Sequence, residues 1–484
     1  MSSSISRMPG NVRTIFFINI LIVFVYAVLF SSLMIFLTKK IGFSAARSES
    51  IVGLFLALNF ILHLFAGFIS DRLLSNRYLL LVSTLIKVLG IYILSLGNSE
   101  YVYLGLALVV TGCGINSTCL QCMLSAQFEQ EDQRREVAFF WMYSALNIGF
   151  FLGFTLSGYF DINNDFTTLY RIGVITSMLA IVSLVFYWSN FKSSQTIFSL
   201  KSRKERIKSR ILGTLLIIGL IPLLNYSFHY PKNSNYCVVF IGAITLLLIV
   251  ASIFKCKEKR YKNGIFAFLI LAIFSIFYWS LYYVGPLGGL IFLENNIDLS
   301  LLGYQVAPQW LMNLNSVFIV FGSPILITII NKLRGRGFNI SIPRQFCSAL
   351  FFIAISYFIF AIGIHFSNDQ GKTAIIWVVL HYLFQSMSEL FIAPVGYAMI
   401  GELIPKRLQS FMMGTWMMLS GIAIEFSNLF SHLMTRSGGY DPLLNNNDYF
   451  EMFNILSITT VVLAIIMLFF IPFLERLVNS ASDK

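Results

Sequence analysis

The chain has 484 residues, 57% of them hydrophobic and 12% charged, against about 45–50% and about 25% in a soluble globular protein. At about 20 apolar residues per spanning helix, that hydrophobic content fills about fourteen helices, so a soluble enzyme is excluded. The 34 Lys and Arg against 22 Asp and Glu do not mark a nucleic-acid partner, because they sit in short loops between apolar runs and point to a lipid bilayer instead.

In chain order, apolar runs fall near residues 15–38, 51–69, 78–97, 102–125, 138–160, 170–190, 212–228, 236–254, 265–293, 310–331, 346–365, 373–400, 409–433 and 450–474. No short apolar region followed by a small-residue cleavage site precedes them, so the first helix is expected to stay. Fourteen spans put both termini on one face. Placing that face in the cytoplasm leaves 26 of the 34 Lys and Arg inside, 7 outside and Lys87 within a helix, the bias that the positive-inside rule asks for.

The densest basic cluster, Lys201, Arg203, Lys204, Arg206, Lys208 and Arg210, follows the sixth run and reads as a central cytoplasmic linker. The loop Gly67 to Arg77, with Ser70-Asp71-Arg72 inside it, follows the second run; Asn331-Lys332-Leu333-Arg334-Gly335-Arg336 follows the tenth. This echo suggests two six-helix halves made by duplication, the parallel repeat of many secondary transporters. The expected division is an N-terminal bundle at 1–190, a basic linker with two extra spans at 191–264, and a C-terminal bundle at 265–484.

Cys113, Cys119 and Cys122 share one apolar segment and Cys256 sits in a basic loop, so the six cysteines read as reduced packing residues rather than a disulfide framework. No Cys/His spacing fits zinc, and no metal or cofactor is expected. The five histidines, His63, His229, His365, His381 and His432, are scattered without paired spacing. Nothing assembles a nucleophile and base, so the chain is expected not to be an enzyme.

Gly67-x-x-x-Asp71-Arg72-x-x-Ser75-x-Arg77 resembles the loop motif of the major facilitator superfamily, with Ser75 where a second glycine is usual. Asn147-Ile148-Gly149-Phe150-Phe151-Leu152-Gly153 after Arg134-Arg135 is more specific. So are the run from Leu302-Gly303-Tyr304 to Ser323-Pro324, then Tyr382-Leu383-Phe384-Gln385-Ser386-x-x-Glu389-Leu390, and Met413-Gly414-x-Trp416. In this order they resemble the proton-dependent oligopeptide transporter family, especially its bacterial di- and tripeptide permeases. The resemblance implies an all-α polytopic protein with the major facilitator fold, 14 transmembrane helices arranged 6 + 2 + 6. It also implies a multi-pass monomer in a bacterial inner membrane, with both termini cytoplasmic.

The departures from the family pattern are concentrated in the N-terminal half. The acid-x-x-acid-Arg motif of the first helix falls on Asn19, Ile22 and Val23, and the paired tyrosines that follow it fall on Tyr26 and Ala27. A lysine of the fourth helix falls on Ser117 and a tyrosine of the second on Phe60. In the family those cations are thought to face a peptide's carboxylate end. A buried carboxylate without a cation or donor array costs several kcal/mol, so recognition of a free C-terminus is expected to be lost.

The C-terminal half keeps its acid. Glu389 matches the family carboxylate that meets a substrate amino group, and an intramembrane acid is by default a functional-site hypothesis. His381, Gln385 and Glu389 are spaced by four and so lie roughly along one helix face. Asn147 and Asn315 match polar positions lining the family cavity, against a competing reading as ordinary helix–helix hydrogen bonds. Trp416 and Tyr26, with Tyr282 and Trp279, are candidate aromatic walls. Glu389, His63 and His381 are the proton-coupling candidates, His63 competing with a reading as a packed core histidine. Lys87 reads as a snorkelling or ion-paired structural residue. Gly67, Asp71, Arg72 and Arg77 are expected to form a conformational latch, with Asp71 paired in only one state.

The resulting expectation is a secondary active transporter of small peptides or peptide-like, amine-bearing solutes, with proton coupling through Glu389. The alternatives within transport are a proton-independent facilitator or an exporter of a modified peptide or siderophore-like compound. A non-transporting sensor on a transporter fold is the third reading.

Overall fold

The computed structural model of the chain describes residues 8–482 apart from 9, 44, 130–131, 133, 192–195, 232–233, 235–239, 241, 245–246, 252, 254–257, 302–303, 307, 339, 406–407 and 435–440. The architecture is helical. The first six helices are α1 (Gly10–Ile35, running into a π-turn at Phe36–Lys40), α2 (Ala45–Arg72), α3 (Asn76–Ser95), α4 (Val102–Ser125), α5 (Arg134–Ile162) and α6 (Phe166–Phe186). Then follow α7 (Arg203–His229), α8 (Lys259–Tyr282), α9 (Leu290–Asn296), α10 (Pro308–Gly335), α11 (Ile342–His365), α12 (Ile375–Leu403), α13 (Gln409–Met434) and α14 (Pro442–Ser482). Strand pairing among the described residues is limited to the two-residue ladder Ser300↔Gln305, Leu301↔Tyr304 and the bridge Ile297↔Thr373.

Among the described residues, twelve helices are long and apolar enough to cross a membrane, and α13 adds 26 residues of helix. Helix is the form such runs must take, because hydrocarbon offers no partner for a backbone N–H or C=O and the element has to satisfy its own. The eighth expected span, 236–254, lies partly outside the described residues. The ninth, 265–293, is not one span: α8 stops at Tyr282, and Gly285, Gly288 and Gly289 sit in a π-turn before the seven residues of α9.

The basic cluster read as a linker is helical from Arg203 on and opens α7. Ser202 Oγ accepts from the Glu205 N–H at 3.4 Å while Glu205 Oε2 accepts from the Ser202 N–H at 2.9 Å, a capping box that satisfies two N–H groups the helix start would otherwise leave bare. Arg, Lys and Glu are also good helix formers, so nothing between Arg203 and Arg210 opposes winding. Charge marks the cluster as a linker, and the cap residues give it helical form.

The chain divides into two compact units, Met1–Lys255 with Tyr397–Gly421, and Cys256–Gly396 with Ile422–Lys484. In the first unit α3 packs along α4, α1 along α5, and α6 against both α1 and α3. In the second, α14 packs against α11 and α8. The last turns of α12 and the first half of α13 therefore belong with the first unit, although the rest of both helices belongs with the second.

Candidate functional site

In the second unit, α8, α10 and α12 converge on Glu389, which is 3% exposed. Asn315 Nδ2 on α10 donates to Glu389 Oε2 at 2.8 Å and to Ser386 Oγ at 3.1 Å, while Ser386 Oγ donates back to the Asn315 carbonyl at 3.2 Å. Tyr282 at the end of α8 makes a side-chain hydrogen bond with the same carboxyl. Ser388 Oγ donates to the Tyr278 hydroxyl at 2.8 Å. Asn315 and Tyr282 are neutral donors. They orient the carboxyl and lower the cost of burying it, and neither cancels its charge.

The polar stripe of α12 turns as it climbs. Four residues advance an α-helix by about 400° and eight by about 800°, so His381 points about 80° away from Glu389. His381 Nδ1 donates to the Ser356 carbonyl of α11 at 2.9 Å, and its ring stacks on Phe360 with centroids 3.6 Å apart. Gln385 lies between, near Gly285. Tyr357 and Tyr382 close around the imidazole edge-on. His381 thus faces α11 while Glu389 faces α10 and α8.

The first unit carries the positions where the resemblance places charges. Asn19 Nδ2 donates to the Met142 carbonyl at 3.2 Å, and Ile22 and Val23 are buried. Asn147 is buried and donates to the Tyr143 carbonyl of its own helix at 3.0 Å. Tyr26 sits against Phe30 and edge-on to Phe150, both at 6.0 Å. His63 donates from Nδ1 to the Gly114 carbonyl, with Phe60 edge-on at 5.6 Å. The motif Met413-Gly414-x-Trp416 has a packing reason: a Cβ on Gly414 would stand 2.3 Å from the His63 carbonyl oxygen, so only glycine lets α13 approach α2 this closely. Trp416 is 2% exposed beside that crossing.

At the turn between α2 and α3, Ser70 Oγ donates to the Gly67 carbonyl at 3.0 Å, and the Arg72 guanidinium lies over Phe68 at 4.6 Å. Arg77 Nη1 donates to the Trp188 carbonyl at 2.7 Å, and Lys201 Nζ to the Arg72 carbonyl at 2.7 Å. Asp71 is buried. The loop is therefore the dock for the segment joining α6 to α7. At the start of α5 the two arginines diverge. Arg134 pairs with Asp132 at 2.7 Å on the surface and holds that carboxyl below the usual range. Arg135, 5% exposed, donates to the carbonyls of Gly401 at 2.7 Å, Phe128 at 3.2 Å and Ser125 at 3.5 Å.

Of the residues singled out from sequence, the structure joins Glu389 and Asn315 directly; Asn147, Tyr26, His63 and Trp416 belong to the first unit. Two contributors are not assigned to Glu389 by the sequence. Ser386 stands three residues before Glu389, on the same helical face, but serines are common on membrane helices. Tyr282 reads from sequence as a candidate aromatic wall, and its hydrogen bond to Glu389 comes from the structure.

The sequence profile of the POT family matches residues 77–443. The chain is 26% identical to dipeptide and tripeptide permease B of Salmonella typhimurium, over 99% of this chain and 98% of that protein. It is 27% identical to dipeptide and tripeptide permease A of Escherichia coli, over 99% and 95%. A crystal structure of peptide transporter POT in complex with sulfate superposes with a TM-score of 0.77 at 19% identity, covering 97% of this chain and 96% of that one. A POT family transporter in complex with 5-aminolevulinic acid gives 0.76 at 19%, covering 96% and 97%.

Proposed function

Because the chain belongs to the POT family of major facilitator transporters, and so to a family of carriers rather than enzymes, we propose that it moves small peptides or peptide-like amines across an inner membrane by alternating access. The observation that carries this reading is the carboxyl of Glu389, buried and oriented by the neutral donors Asn315 and Tyr282. A solute ammonium entering such a site meets a preorganised anion in a low-dielectric setting, where the attraction is far stronger than in water. Permeases of dipeptides and tripeptides among the relatives support peptides as the solute class.

Selectivity follows from what Asn19, Ile22, Val23 and Ser117 do not offer. None of these side chains brings a cation to a solute carboxylate, so the amino end is the end that is read. Within the first unit, Asn147, Tyr26 and Trp416 are the candidate solute-binding residues that the resemblance offers, and Gly67, Asp71, Arg72 and Arg77 act at the α2–α3 turn as the latch between states. Glu389 also offers a route to coupling, since a proton and a solute amine compete for one carboxyl; His63 and His381 are the other titratable candidates. The neutral residues at the first-helix motif favour a second reading, proton-independent facilitation.

Uptake of labelled di- and tripeptides into proteoliposomes, with and without an inward proton gradient, separates these readings. Saturable uptake that the gradient accelerates is the expected result. Saturable uptake indifferent to the gradient selects facilitation, and no uptake or counterflow of any peptide rules out the peptide reading.

A further inference from the structure

Lys87 is fully enclosed, with no exposed surface, in the interior of the first unit. Its place there depends on Gly112 of α4. A Cβ on Gly112 would stand 2.4 Å from the Lys87 Cβ and 2.6 Å from the Ser83 carbonyl oxygen, so the absent side chain is what admits the lysine stem between α3 and α4. The ammonium end reaches the Ile22 carbonyl of α1 through one long hydrogen bond of 3.4 Å. Ile22 is a position where the resemblance places an acid.

Among the described residues, the groups placed around Lys87 are neutral. From α4, Cys113 is the titratable neighbour. From α1 there is the Ile22 carbonyl. From α6, Gly173 packs against Ile91 and Val25; Ser177, one turn on, therefore stands level with Lys87 and Ile22, and its buried hydroxyl has no hydrogen-bond partner. On α4, Asn116 accepts from Ser83 and Thr84, one turn before Lys87, and its Nδ2 is buried without an acceptor. Among the described residues no carboxylate forms an ion pair with Lys87. His63 lies on the far side of α4 and is occupied by the Gly114 carbonyl.

We infer that Lys87, together with the polar shell of Asn116 and Ser177, is a proton-binding site of the first unit, replacing the coupling charges that Asn19, Ile22 and Val23 do not supply. An ammonium enclosed without a counter-charge is strongly disfavoured. The conformation described here therefore favours the neutral amine, and a conformation that admits water to the α1–α3–α4 interior favours the ammonium. Water from the outer solution gives the amine its proton; the resulting ammonium is held out of the enclosed conformation and passes between the water-admitting conformations, loses the proton to the inner solution, and the neutral amine returns through the enclosed one. Differential proton affinity of this kind biases the equilibrium between two states as any ligand does. The buried lysine couples without touching the solute.

This inference rests on the peptide-transport reading, and the test keeps the two apart. The full chain in proteoliposomes is assayed for counterflow of a labelled dipeptide at equal pH on both sides, and for net uptake under an inward gradient of one pH unit, worth up to about tenfold accumulation per coupled proton. Wild type is expected to show both. Lys87→Met, which keeps the stem and loses the titration, is expected to retain counterflow while gradient-driven accumulation falls to the level without a gradient. Cys113→Asp, which gives Lys87 a fixed counter-charge, is expected to uncouple in the same way, whereas a merely structural lysine would be better satisfied by it with coupling intact. Gradient stimulation equal to wild type in either variant overturns the inference. Absence of counterflow in wild type overturns the transport reading instead.

Discussion

Glu389→Gln is expected to weaken binding of a dipeptide about a hundredfold, a loss of about 3 kcal/mol of the kind seen when one partner of a buried charged pair is neutralised. Gln keeps the volume and an oxygen to accept from Asn315 Nδ2, which now donates at 2.8 Å, so the helices α10 and α12 are expected to stay joined and the protein to fold. Asn315→Ala in the same assay should cost less, because it removes an orienting donor and leaves the charge. Equilibrium binding of a labelled dipeptide to purified variants, with thermal denaturation as the folding control, measures both. An affinity of Glu389→Gln within threefold of wild type would place the amine elsewhere.

Arg135→Met is expected to destabilise the first unit by about 3 kcal/mol, the scale of losing hydrogen bonds from a charged donor to buried acceptors. Its guanidinium serves three carbonyls, those of Ser125 and Phe128 at the end of α4 and that of Gly401 in the last turn of α12. These oxygens are not repaired by a thioether. Arg134→Met, one residue earlier, removes a surface pair with Asp132, and such pairs contribute little. Thermal denaturation of the two variants side by side checks the contrast, and a cysteine pair at positions 128 and 401 reads whether the end of α12 stays docked. Equal melting of Arg134→Met and Arg135→Met contradicts it.

Much of the fold was legible because a spanning helix is a long signal. Runs such as 102–125 end where the structure ends α4, at Val102 and Ser125, since polar residues bound the apolar stretch on both sides. Legibility failed where short-range chemistry outweighed hydropathy. The Ser202 and Glu205 cap winds into helix a cluster whose charge marks it only as a linker, and three glycines in five residues divide the run at 265–293. Motifs marked Glu389 and Asn315, and the structure joins them by one hydrogen bond. Tyr282 could not be found that way, because its role is a contact across two helices and not a spacing. Sequence makes Lys87 a snorkelling or paired residue; its complete enclosure depends on how Gly112 lets α3 and α4 approach, which no single-helix pattern encodes.

The claim on which the account turns is that the solute is recognised by its amino end at Glu389 and not by its carboxyl end. Competition by N-acetylated and C-amidated forms of one dipeptide against the labelled parent tests it most directly. The account predicts that amidation leaves affinity within a few-fold, while acetylation, which removes the ammonium, lowers it about a hundredfold, matching the loss in Glu389→Gln. Equal losses from both modifications, or a larger loss from amidation, would contradict it.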